Sequence, residues 1–352
     1  MRIFLLAIGG RERASSRLRI WDHVAALRGL GHEVTVDSVV AEGARANDFR
    51  FVARLLTAYP RWLGHFLQAD AIVLQETMIL WPALLLKALG KRRRVVFDFS
   101  DPVDRVGKRG WVRAIRRALM RFVTDRADVV VVENGSYVPA LAARGIDAHK
   151  FYGPVDVTRY NRARENLGPM NTDRLRIGWT GSPGTFGFIA PILPHIDAIA
   201  RTIPIEVMLI GVPDADCRMQ HATLTKLPWT EASEFELVPT FDLGLFRIDD
   251  GEDARWRGAG KLFIYLAASV PFIATDRGIA HDVMRESGLG FPVGDQPGSW
   301  LDGLRLAIES ADTRFRFGAQ SLDYARAHLS YERYREKLLG FLAPGQEGRS
   351  SQ

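Results

Sequence analysis

Two short segments of the chain carry residue types that suit the binding of a phosphate group. Arg257 and Lys261 lie four positions apart, and this spacing predicts that both cations share one face of a helix. The predicted helix covers Lys261–Ala268, and two glycines, Gly258 and Gly260, lie just before it. Because a helix start attracts anions through its backbone N–H groups and dipole, the segment predicts a diphosphate site. A solvated surface lysine beside a loose loop is the alternative interpretation.

The second segment is the glycine-rich turn Gly181–Thr185, with the sequence GSPGT. It lies between a predicted strand, Leu175–Thr180, and a predicted helix, Ile189–Thr202. Its backbone N–H groups and the hydroxyls of Ser182 and Thr185 suit phosphate oxygens. It is not a Walker loop, because no lysine follows in the required register. Together the two segments predict one anion site built from separate loops.

Strand-like and helix-like segments alternate along the chain, which predicts an α/β fold in two halves. The first half opens with a predicted strand Arg2–Ile8, the glycine pair Gly9–Gly10, a helix Ser16–Gly31 and a strand Glu33–Val39. This is the strand–helix–strand order of nucleotide-binding domains. The full G-x-G-x-x-G pattern is absent, which disfavours NAD and FAD. The second half repeats the same order without a detectable sequence repeat.

Length and composition indicate a soluble, two-domain protein. The chain has 352 residues, of which 47% are hydrophobic and 25% are charged. The single cysteine, Cys217, excludes an internal disulfide and suits a reducing compartment. We see neither a secretory signal nor an apolar run long enough to span a membrane, so the sequence predicts a cytoplasmic protein.

The domain boundary is predicted from the stretch Phe151–Asn161, which lacks periodicity and is typical of an interdomain linker. The predicted domains are therefore 1–160 and 161–329. A terminal helix is predicted at 330–343, with Tyr331, Tyr334 and Leu338 on one face. The polar tail 344–352 is predicted to be disordered.

A basic segment at 108–126 calls for its own explanation. Between Lys91 and Arg126 there are twelve Lys/Arg and four Asp, a local excess above the net charge of +6 for the whole chain. Trp111 and Ile115 fall on the apolar face of a predicted helix here, and arginines lie elsewhere on it. The pattern favours an acidic membrane surface as the partner, with an ordinary packed helix as a close alternative. Nucleic acid is disfavoured, because no nucleic-acid-binding motif accompanies the charge.

Four phrases of the sequence resemble a bacterial branch of the family 4 glycosyltransferases. They are ASSRLRIWDHVAALRGLGHEV near the start, IGWTGSPGT at Ile177–Thr185, FDLGLFRIDD at Phe241–Asp250, and GKLFIYLAASVP. The resemblance implies the GT-B fold: two Rossmann-like domains facing across a cleft, with the last helix crossing back onto the first. It also implies retaining sugar transfer from a nucleotide diphosphate sugar to a glycan or lipid-linked acceptor in surface-polysaccharide or glycolipid assembly. Neither a metal nor another cofactor is expected.

The residue patterns and the resemblance together assign roles to individual residues. Lys261 and then Arg257 would stabilise the charge that grows on the leaving diphosphate. Donor-binding candidates are Gly181, Ser182, Thr185, Trp229, Glu231 and Tyr265. Candidates on the acceptor side are Gly9, Gly10, Arg17, Asp98 and Asp101. For Asp98 and Asp101, which accompany the end of a predicted strand, a helix-capping role is about equally favoured. The acidic run Asp249–Asp250 and Glu252–Asp253 is interpreted as a solvated loop, not a metal site.

The sequence also departs from the family pattern. Two glutamates that many members carry eight positions apart are replaced by Arg257 and Tyr265, and a usual Arg/Lys pair is replaced by Ser182 and Thr185. Ser269 stands where the branch usually has glycine. These departures keep an alternative open: a catalytically inert module that binds nucleotide or membrane. A sugar-nucleotide epimerase is a further alternative, although no acid/base set for it is found; His23 and His281 are interpreted as structural or surface residues.

Overall fold

The computed structural model describes residues 1–40, 49–87, 93–100, 110–167, 173–248, 251, 256–294, 296 and 298–343. The chain divides into two compact units. Unit 1 consists of Met1–Pro154, Trp256–Gly258 and Tyr331–Gln352, and unit 2 of Val155–Arg255 and Ala259–Ser330. The last helix therefore belongs to unit 1, although its sequence follows unit 2.

Unit 1 is built on a parallel sheet of six strands. Its strands are β1 (Arg2–Ala7), β2 (Glu33–Ser38), β3 (Ala71–Gln75), β4 (Arg94–Phe99), β5 (Val129–Val132) and β6 (Ala148–Lys150). They lie in the order β2-β1-β3-β4-β5-β6, and every pair is parallel. The central strands read as unbroken apolar runs because helices cover both faces of the sheet.

Helices pack on both faces of this sheet. They are α1 (Ala14–Arg19), α2 (Val24–Gly29), α3 (Phe49–Gln68), α4 (Trp81–Leu85), α5 (Trp111–Arg126), α6 (Tyr137–Ala142) and α15 (Tyr331–Leu342). The single helix predicted at Ser16–Gly31 is instead α1, a 3₁₀ turn at Trp21–His23, and α2. One core cluster joins the sheet to α3–α6 through residues such as Trp62 and Phe66. The other joins it to α1, α2 and α15 through residues such as Leu338 and Leu342.

Unit 2 repeats the plan with a second parallel sheet. Its strands are β7 (Leu175–Thr180), β8 (Ile205–Ile210), β9 (Thr223–Leu227), β10 (Leu243–Phe246), β11 (Phe272–Thr275) and β12 (Phe291–Val293), in the order β12-β11-β10-β7-β8-β9. Its helices are α7 (Val157–Glu165), α8 (Pro183–Ile189), α9 (Leu193–Ile199), α10 (Glu231–Leu237), α11 (Gly260–Ala267), α12 (Gly278–Ser287), α13 (Ser299–Glu309) and α14 (Ala311–His328). Two 3₁₀ turns, Ala190–Ile192 and Val238–Thr240, complete the described elements.

Two predicted elements of unit 2 differ from the structure. The linker predicted at Phe151–Asn161 contains most of the first two turns of α7, whose backbone N–H at Arg159 donates to the capping Asp156 carboxylate over 2.9 Å. This helix buries only Val157 and Tyr160, so it lacks the apolar periodicity that would have revealed it. The helix predicted at Ile189–Thr202 is divided into α8, a 3₁₀ turn and α9, because Pro191 and Pro194 interrupt the regular helix.

Each sheet has one point at which the strand order changes direction. In unit 1 that point lies between β1 and β3, and in unit 2 between β7 and β10. Ligands of open parallel sheets bind at the carboxyl ends of the strands at such a point. The residues that follow β1, β3, β7 and β10 are therefore the ones whose chemistry matters most.

Candidate functional site

Lys261 and the turn after β7 come together in unit 2. Lys261 is the second residue of α11, and its Nζ donates a hydrogen bond of 3.4 Å to Thr185 Oγ1 in the first turn of α8. The same ammonium lies 5.4 Å from the centre of the Trp179 ring at the end of β7. A cation, a hydroxyl and the start of α11 thus meet beside the strand end at which the unit 2 sheet changes direction.

Gly181 allows this approach. A Cβ atom at this position would collide with the Trp179 ring and with Cε of Lys261. The Gly181 N–H donates to the Ile210 carbonyl over 2.9 Å, which ties the turn to β8. Because glycine has no side chain, the aliphatic part of Lys261 can pass close to the backbone at the end of β7. Ser182 is exposed at the start of α8.

Arg257 does not share a helical face with Lys261. Helix α11 begins at Gly260 and its N-cap is Ala259, so Arg257 precedes the helix. It is grouped with Trp256 and Gly258 in unit 1, where the Trp256 ring packs 4.8 Å from that of Tyr137. The prediction that Arg257 and Lys261 share one helical face was wrong, because the backbone from Arg257 to Ala259 is not part of the helix. The role of Arg257 toward a phosphate stays a prediction.

Arg247 is a cation that the sequence analysis did not single out. It follows β10 at the same point of the unit 2 sheet, and its Nη1 donates a 2.7 Å hydrogen bond to the Phe188 carbonyl. Phe188 belongs to α8, the helix whose first turn carries Thr185. Arg247 therefore positions α8 against the strand end. Its place directly after the strand within the phrase FDLGLFRIDD was the available signal.

Tyr265 is a core residue and not a donor ligand. It is fully buried in α11, and its hydroxyl donates to the Leu245 carbonyl over 3.1 Å. Burial raises the pKa of this phenol above its ordinary value. The ring also occupies the space above Gly244. The donor-binding role predicted for Tyr265 is therefore withdrawn, since the side chain faces the interior of unit 2.

Trp229 and Glu231 occupy different environments. Trp229 is half-buried, and its Nε1 donates over 2.8 Å to Glu234, a buried residue that also accepts from the Tyr160 hydroxyl over 3.0 Å. The side chain of Glu231 is 42% exposed and pairs with that of Arg159 at 2.7 Å. Trp229 is thus oriented by an acidic group that the sequence analysis missed. The donor-binding roles of Trp229 and Glu231 stay predictions.

His281 forms an exposed pair with a carboxylate at the neighbouring strand end. Its Nδ1 lies 2.8 Å from Asp276 Oδ1, directly after β11 and in the first turns of α12. Such a contact fixes which ring nitrogen carries the proton and leaves Nε2 directed away from the carboxylate. Both side chains are partly exposed.

The backbone of the glycine pair after β1 is hydrogen-bonded to a side chain of unit 1. The Gly9 N–H donates to Ser16 Oγ over 3.1 Å, and Ser16 Oγ in turn lies 3.0 Å from Gln75 Oε1. Gly10 is buried beside Gly9, and Arg17 is buried inside α1. The predicted acceptor-side roles of Gly9, Gly10 and Arg17 stay predictions.

Asp98 is part of a buried ionic network. Its Oδ1 lies 2.5 Å from Arg19 Nη1, and its Oδ2 accepts a 2.7 Å hydrogen bond from the Tyr334 hydroxyl. Glu133 lies 3.1 Å from the same guanidinium. Burial alone would lower the pKa of Arg19, but the carboxylates of Asp98 and Glu133 raise it. The guanidinium therefore stays charged. Both Asp98 oxygens are thus engaged in the interior, which overturns the predicted role of Asp98 in binding the sugar acceptor. Asp101 lies outside the described residues.

The side chains that could bind a metal ion are dispersed over the described residues. In that part of the chain, no three His, Cys, Asp or Glu residues lie close enough together to hold a metal ion. The acidic run at Asp249–Asp250 and Glu252–Asp253 lies outside the described residues.

Helix α5 exposes the apolar residues of its first turns. Trp111 is 75% exposed and Ile115 is 50% exposed, whereas Met120 and Val123 further along are buried. On the same helix Arg117 and Arg121 are exposed, and Arg116 is half-buried. A helix packed along its whole length would bury Trp111 and Ile115. This end of α5 is therefore a basic surface with exposed apolar side chains. Lys108 and Arg109 lie outside the described residues. Over the described ranges, no helix has the length and apolarity that a bilayer crossing needs.

Comparisons with known proteins identify the fold. No protein-family model matches the sequence, and no curated protein matches it. Among solved structures, sucrose-phosphate synthase from Thermosynechococcus elongatus matches with a TM-score of 0.69 at 11% identity, covering 96% of this chain and 97% of that one. HepE from Anabaena, bound to UDP-glucose, matches with a TM-score of 0.65 at 13% identity, with 97% and 100% covered. UDP-GlcNAc 2-epimerase from Neisseria meningitidis, bound to UDP-GlcNAc, matches with 0.58 at 12% identity, with 97% and 100% covered. The predicted α/β fold of GT-B type, with two Rossmann-like units, is confirmed.

Proposed function

We propose that the protein is a glycosyltransferase that takes its sugar from a nucleotide diphosphate sugar. The observation that carries the proposal is the approach of Lys261 Nζ to Thr185 Oγ1 across Gly181, at the point where the unit 2 sheet changes direction. Similar folds in the solved structures named above bind UDP-glucose and UDP-GlcNAc, which supports this class of donor.

The chemistry of sugar transfer explains why a fixed cation belongs there. As the bond between the anomeric carbon and the phosphate oxygen breaks, negative charge grows on the leaving diphosphate. Lys261 at the start of α11, with the Thr185 hydroxyl beside it, would stabilise that charge. Positioned donors of this kind are typically worth about 10²–10³ in kcat.

We further propose that the reaction retains the anomeric configuration and needs no metal ion. The acceptor hydroxyl forms the new bond to the anomeric carbon from the side of the leaving group, and its proton passes to the departing phosphate oxygen. The nucleoside diphosphate leaves as the bond between the anomeric carbon and its phosphate oxygen breaks. Lys261 supplies the positive charge in this scheme, so a metal ion is not required for that purpose.

The acceptor is proposed to be a glycan or a lipid-linked sugar in surface-polysaccharide or glycolipid assembly, met at an acidic membrane face. The exposed Trp111 and Ile115 beside Arg116 and Arg117 support this location. An aromatic residue with cations on one helix is the pattern that binds the interface of acidic membranes.

Two other functions remain to be separated from the transferase. The fold of UDP-GlcNAc 2-epimerase is also similar, so an epimerase is one alternative. The replacement of the glutamate pair by Arg257 and a buried Tyr265 favours a second alternative, an inert nucleotide-binding module. The epimerase would convert the donor to its epimer, whereas the inert module would leave the donor unchanged.

The deciding experiment incubates the protein with UDP-glucose and UDP-GlcNAc, with and without a chelator, in the presence of bacterial membrane glycolipids. A transferase releases UDP in an acceptor-dependent manner, and Lys261→Ala lowers the rate roughly 100-fold or more. Lys226→Ala, a lysine of the same unit on β9, is the matched control and should keep the wild-type rate. Epimerised donor without release of UDP would favour the epimerase, and an unchanged donor would favour the inert module.

A further inference from the structure

Helix α14 exposes an aromatic side chain that its own unit does not cover. Phe315 is 82% exposed, the highest value of any large apolar side chain in the described part of the chain. Another side of the same helix is packed: Gly318 lies close to the Ser269 carbonyl, and the Phe317 ring packs 5.3 Å from that of Phe291. Phe315 therefore takes no part in the core of unit 2.

Phe315 belongs to a stripe of five residues along α14. Its members are Asp312, Phe315, Ala319, Leu322 and Arg326, which are separated by three, four, three and four positions. This spacing places all five on one face of the helix, as in the contact seam of a coiled coil. Leu322 is half-buried, and the other four residues are exposed. These five residues form the α14 seam.

The α14 seam is complementary to a second, antiparallel copy of itself. Because a helix rises 1.5 Å per residue, Asp312 and Arg326 lie about 10 Å on either side of Ala319. A two-fold axis at Ala319 would therefore place Asp312 of each copy beside Arg326 of the other. Phe315 would meet Leu322 of the second copy, and the small side chain of Ala319 would let the helices approach closely. An interface of this kind uses the same surface on both copies.

The charges of the α14 seam favour a second copy over a partner of one sign. The seam carries one acidic and one basic residue, whereas the whole chain has a net charge of +6. Arg326 has a neighbour in its own chain, Asp323, at 4.0 Å, but the two side chains are 57% and 85% exposed. An ion pair this exposed contributes little to stability. It therefore does not prevent Arg326 from meeting Asp312 of a second copy.

We propose that the α14 seam is the contact surface of a homodimer, in which two α14 helices pack antiparallel across a two-fold axis at Ala319. Phe315, as an aromatic residue covered by the second copy, contributes most to the binding energy. The two pairs formed by Asp312 and Arg326 set the register of the helices. The dimer goes beyond the proposed transferase function and does not depend on it.

Sedimentation velocity of the full chain over a concentration series tests the dimer. The wild-type protein should approach twice the chain mass of 39.4 kDa as its concentration rises. Phe315→Glu should weaken the association at least tenfold, because it places a charge in the centre of the contact. Leu30→Glu is the matched control, since Leu30 is 60% exposed in unit 1, and it should leave the association unchanged. Circular dichroism shows whether each variant is folded.

Exchange of the two seam charges tests the antiparallel register. Asp312→Arg and Arg326→Asp each bring like charges together across the axis, so each should weaken the association at least tenfold. The double variant restores opposite charges and should recover the wild-type association. A wild-type protein that stays monomeric, or a double variant as weak as the single ones, overturns the proposal. A monomeric protein whose binding to phosphatidylglycerol vesicles is lost in Phe315→Glu would identify a membrane as the partner and would also overturn it.

Discussion

Tyr334 in the last helix donates a 2.7 Å hydrogen bond to Asp98 at the end of β4, 236 residues earlier in the chain. The bond completes a buried network in which Asp98 also holds Arg19. Helix α15 is therefore attached to the unit 1 sheet by a charged hydrogen bond as well as by apolar contacts such as those of Leu338. A residue at the end of the chain is thus part of the interior of the first unit.

The network should make Asp98 far more sensitive to substitution than Tyr334. Tyr334→Phe removes one hydrogen bond to a charged acceptor and should lower the free energy of unfolding by about 1.5–3 kcal/mol. Asp98→Ala leaves Arg19 buried beside Glu133 alone and should cost about 3–5 kcal/mol. Denaturant unfolding of the two variants measures both values. Equal and small losses would contradict the buried charge network.

His23 should make the protein less stable in acid. Burial, opposed by a hydrogen bond to the Leu18 carbonyl, lowers the pKa of this imidazole to about 3, against 6.5 in an unfolded chain. Between these values the unfolded chain binds a proton that the folded one does not, so stability falls as the pH falls below 6.5. The loss should reach about 3 kcal/mol near pH 4.5.

The variant His23→Gln isolates this contribution from those of the carboxylates. Its side-chain amide can still donate to the Leu18 carbonyl, but it does not titrate. The free energy of unfolding, measured by denaturant between pH 7 and pH 4.5, should fall less steeply for the variant than for the wild-type protein. Identical pH dependence of the two proteins would show that His23 is protonated normally in the folded state.

Ser269→Gly should stabilise unit 2. Ser269 follows α11 with a φ of +56°, and the hydrogen bonds from Ser269 N to Leu266 O and from Val270 N to Tyr265 O form a Schellman motif. Glycine adopts this conformation without steric strain, so the gain should be about 0.5–1 kcal/mol after allowing for its greater freedom when unfolded. Thermal or denaturant unfolding measures it. Ser269→Ala is the matched control, and an equal gain from alanine would exclude backbone strain as the cause.

Charge reversal on α5 should weaken binding to acidic membranes. Arg116→Glu with Arg117→Glu should reduce co-sedimentation with vesicles that contain phosphatidylglycerol by roughly tenfold or more, because each basic residue contributes about 1 kcal/mol at such a surface. Arg305→Glu, a charge reversal at an exposed arginine of unit 2, should leave binding unchanged. Equal binding to vesicles of phosphatidylcholine alone would contradict the electrostatic account.

Sequence patterns predicted the fold better than the candidate site. Apolar runs such as those of β3 and β5 are visible in the chain, and the resemblance implied the GT-B fold, which the comparisons confirm. Helix α7 was not predicted, because its exposed, charged sequence has almost no apolar periodicity. The start of α11 was placed correctly to within one residue, but the backbone before it was not helical, so Arg257 was misplaced.

Side-chain roles depended on burial, which spacing does not reveal. Asp98 follows the rule that carboxylates at strand ends meet ligands, yet Arg19 and Tyr334 approach it from distant parts of the chain. Tyr265 was judged by its place in a family pattern, while its ring fills the core beside Gly244.

The phosphate site at Lys261 and Thr185 is tested most directly by calorimetry, which measures the affinity of the wild-type protein and of Lys261→Ala for UDP in the presence of a chelator. The wild-type protein should bind UDP, removal of the Lys261 ammonium should weaken that binding tenfold or more, and Lys226→Ala should leave it unchanged. A ligand at a hundred times its dissociation constant should also add about 2.7 kcal/mol to the stability of the protein. Equal affinity for UDP in the wild-type protein and in Lys261→Ala would contradict the phosphate site at Lys261 and Thr185.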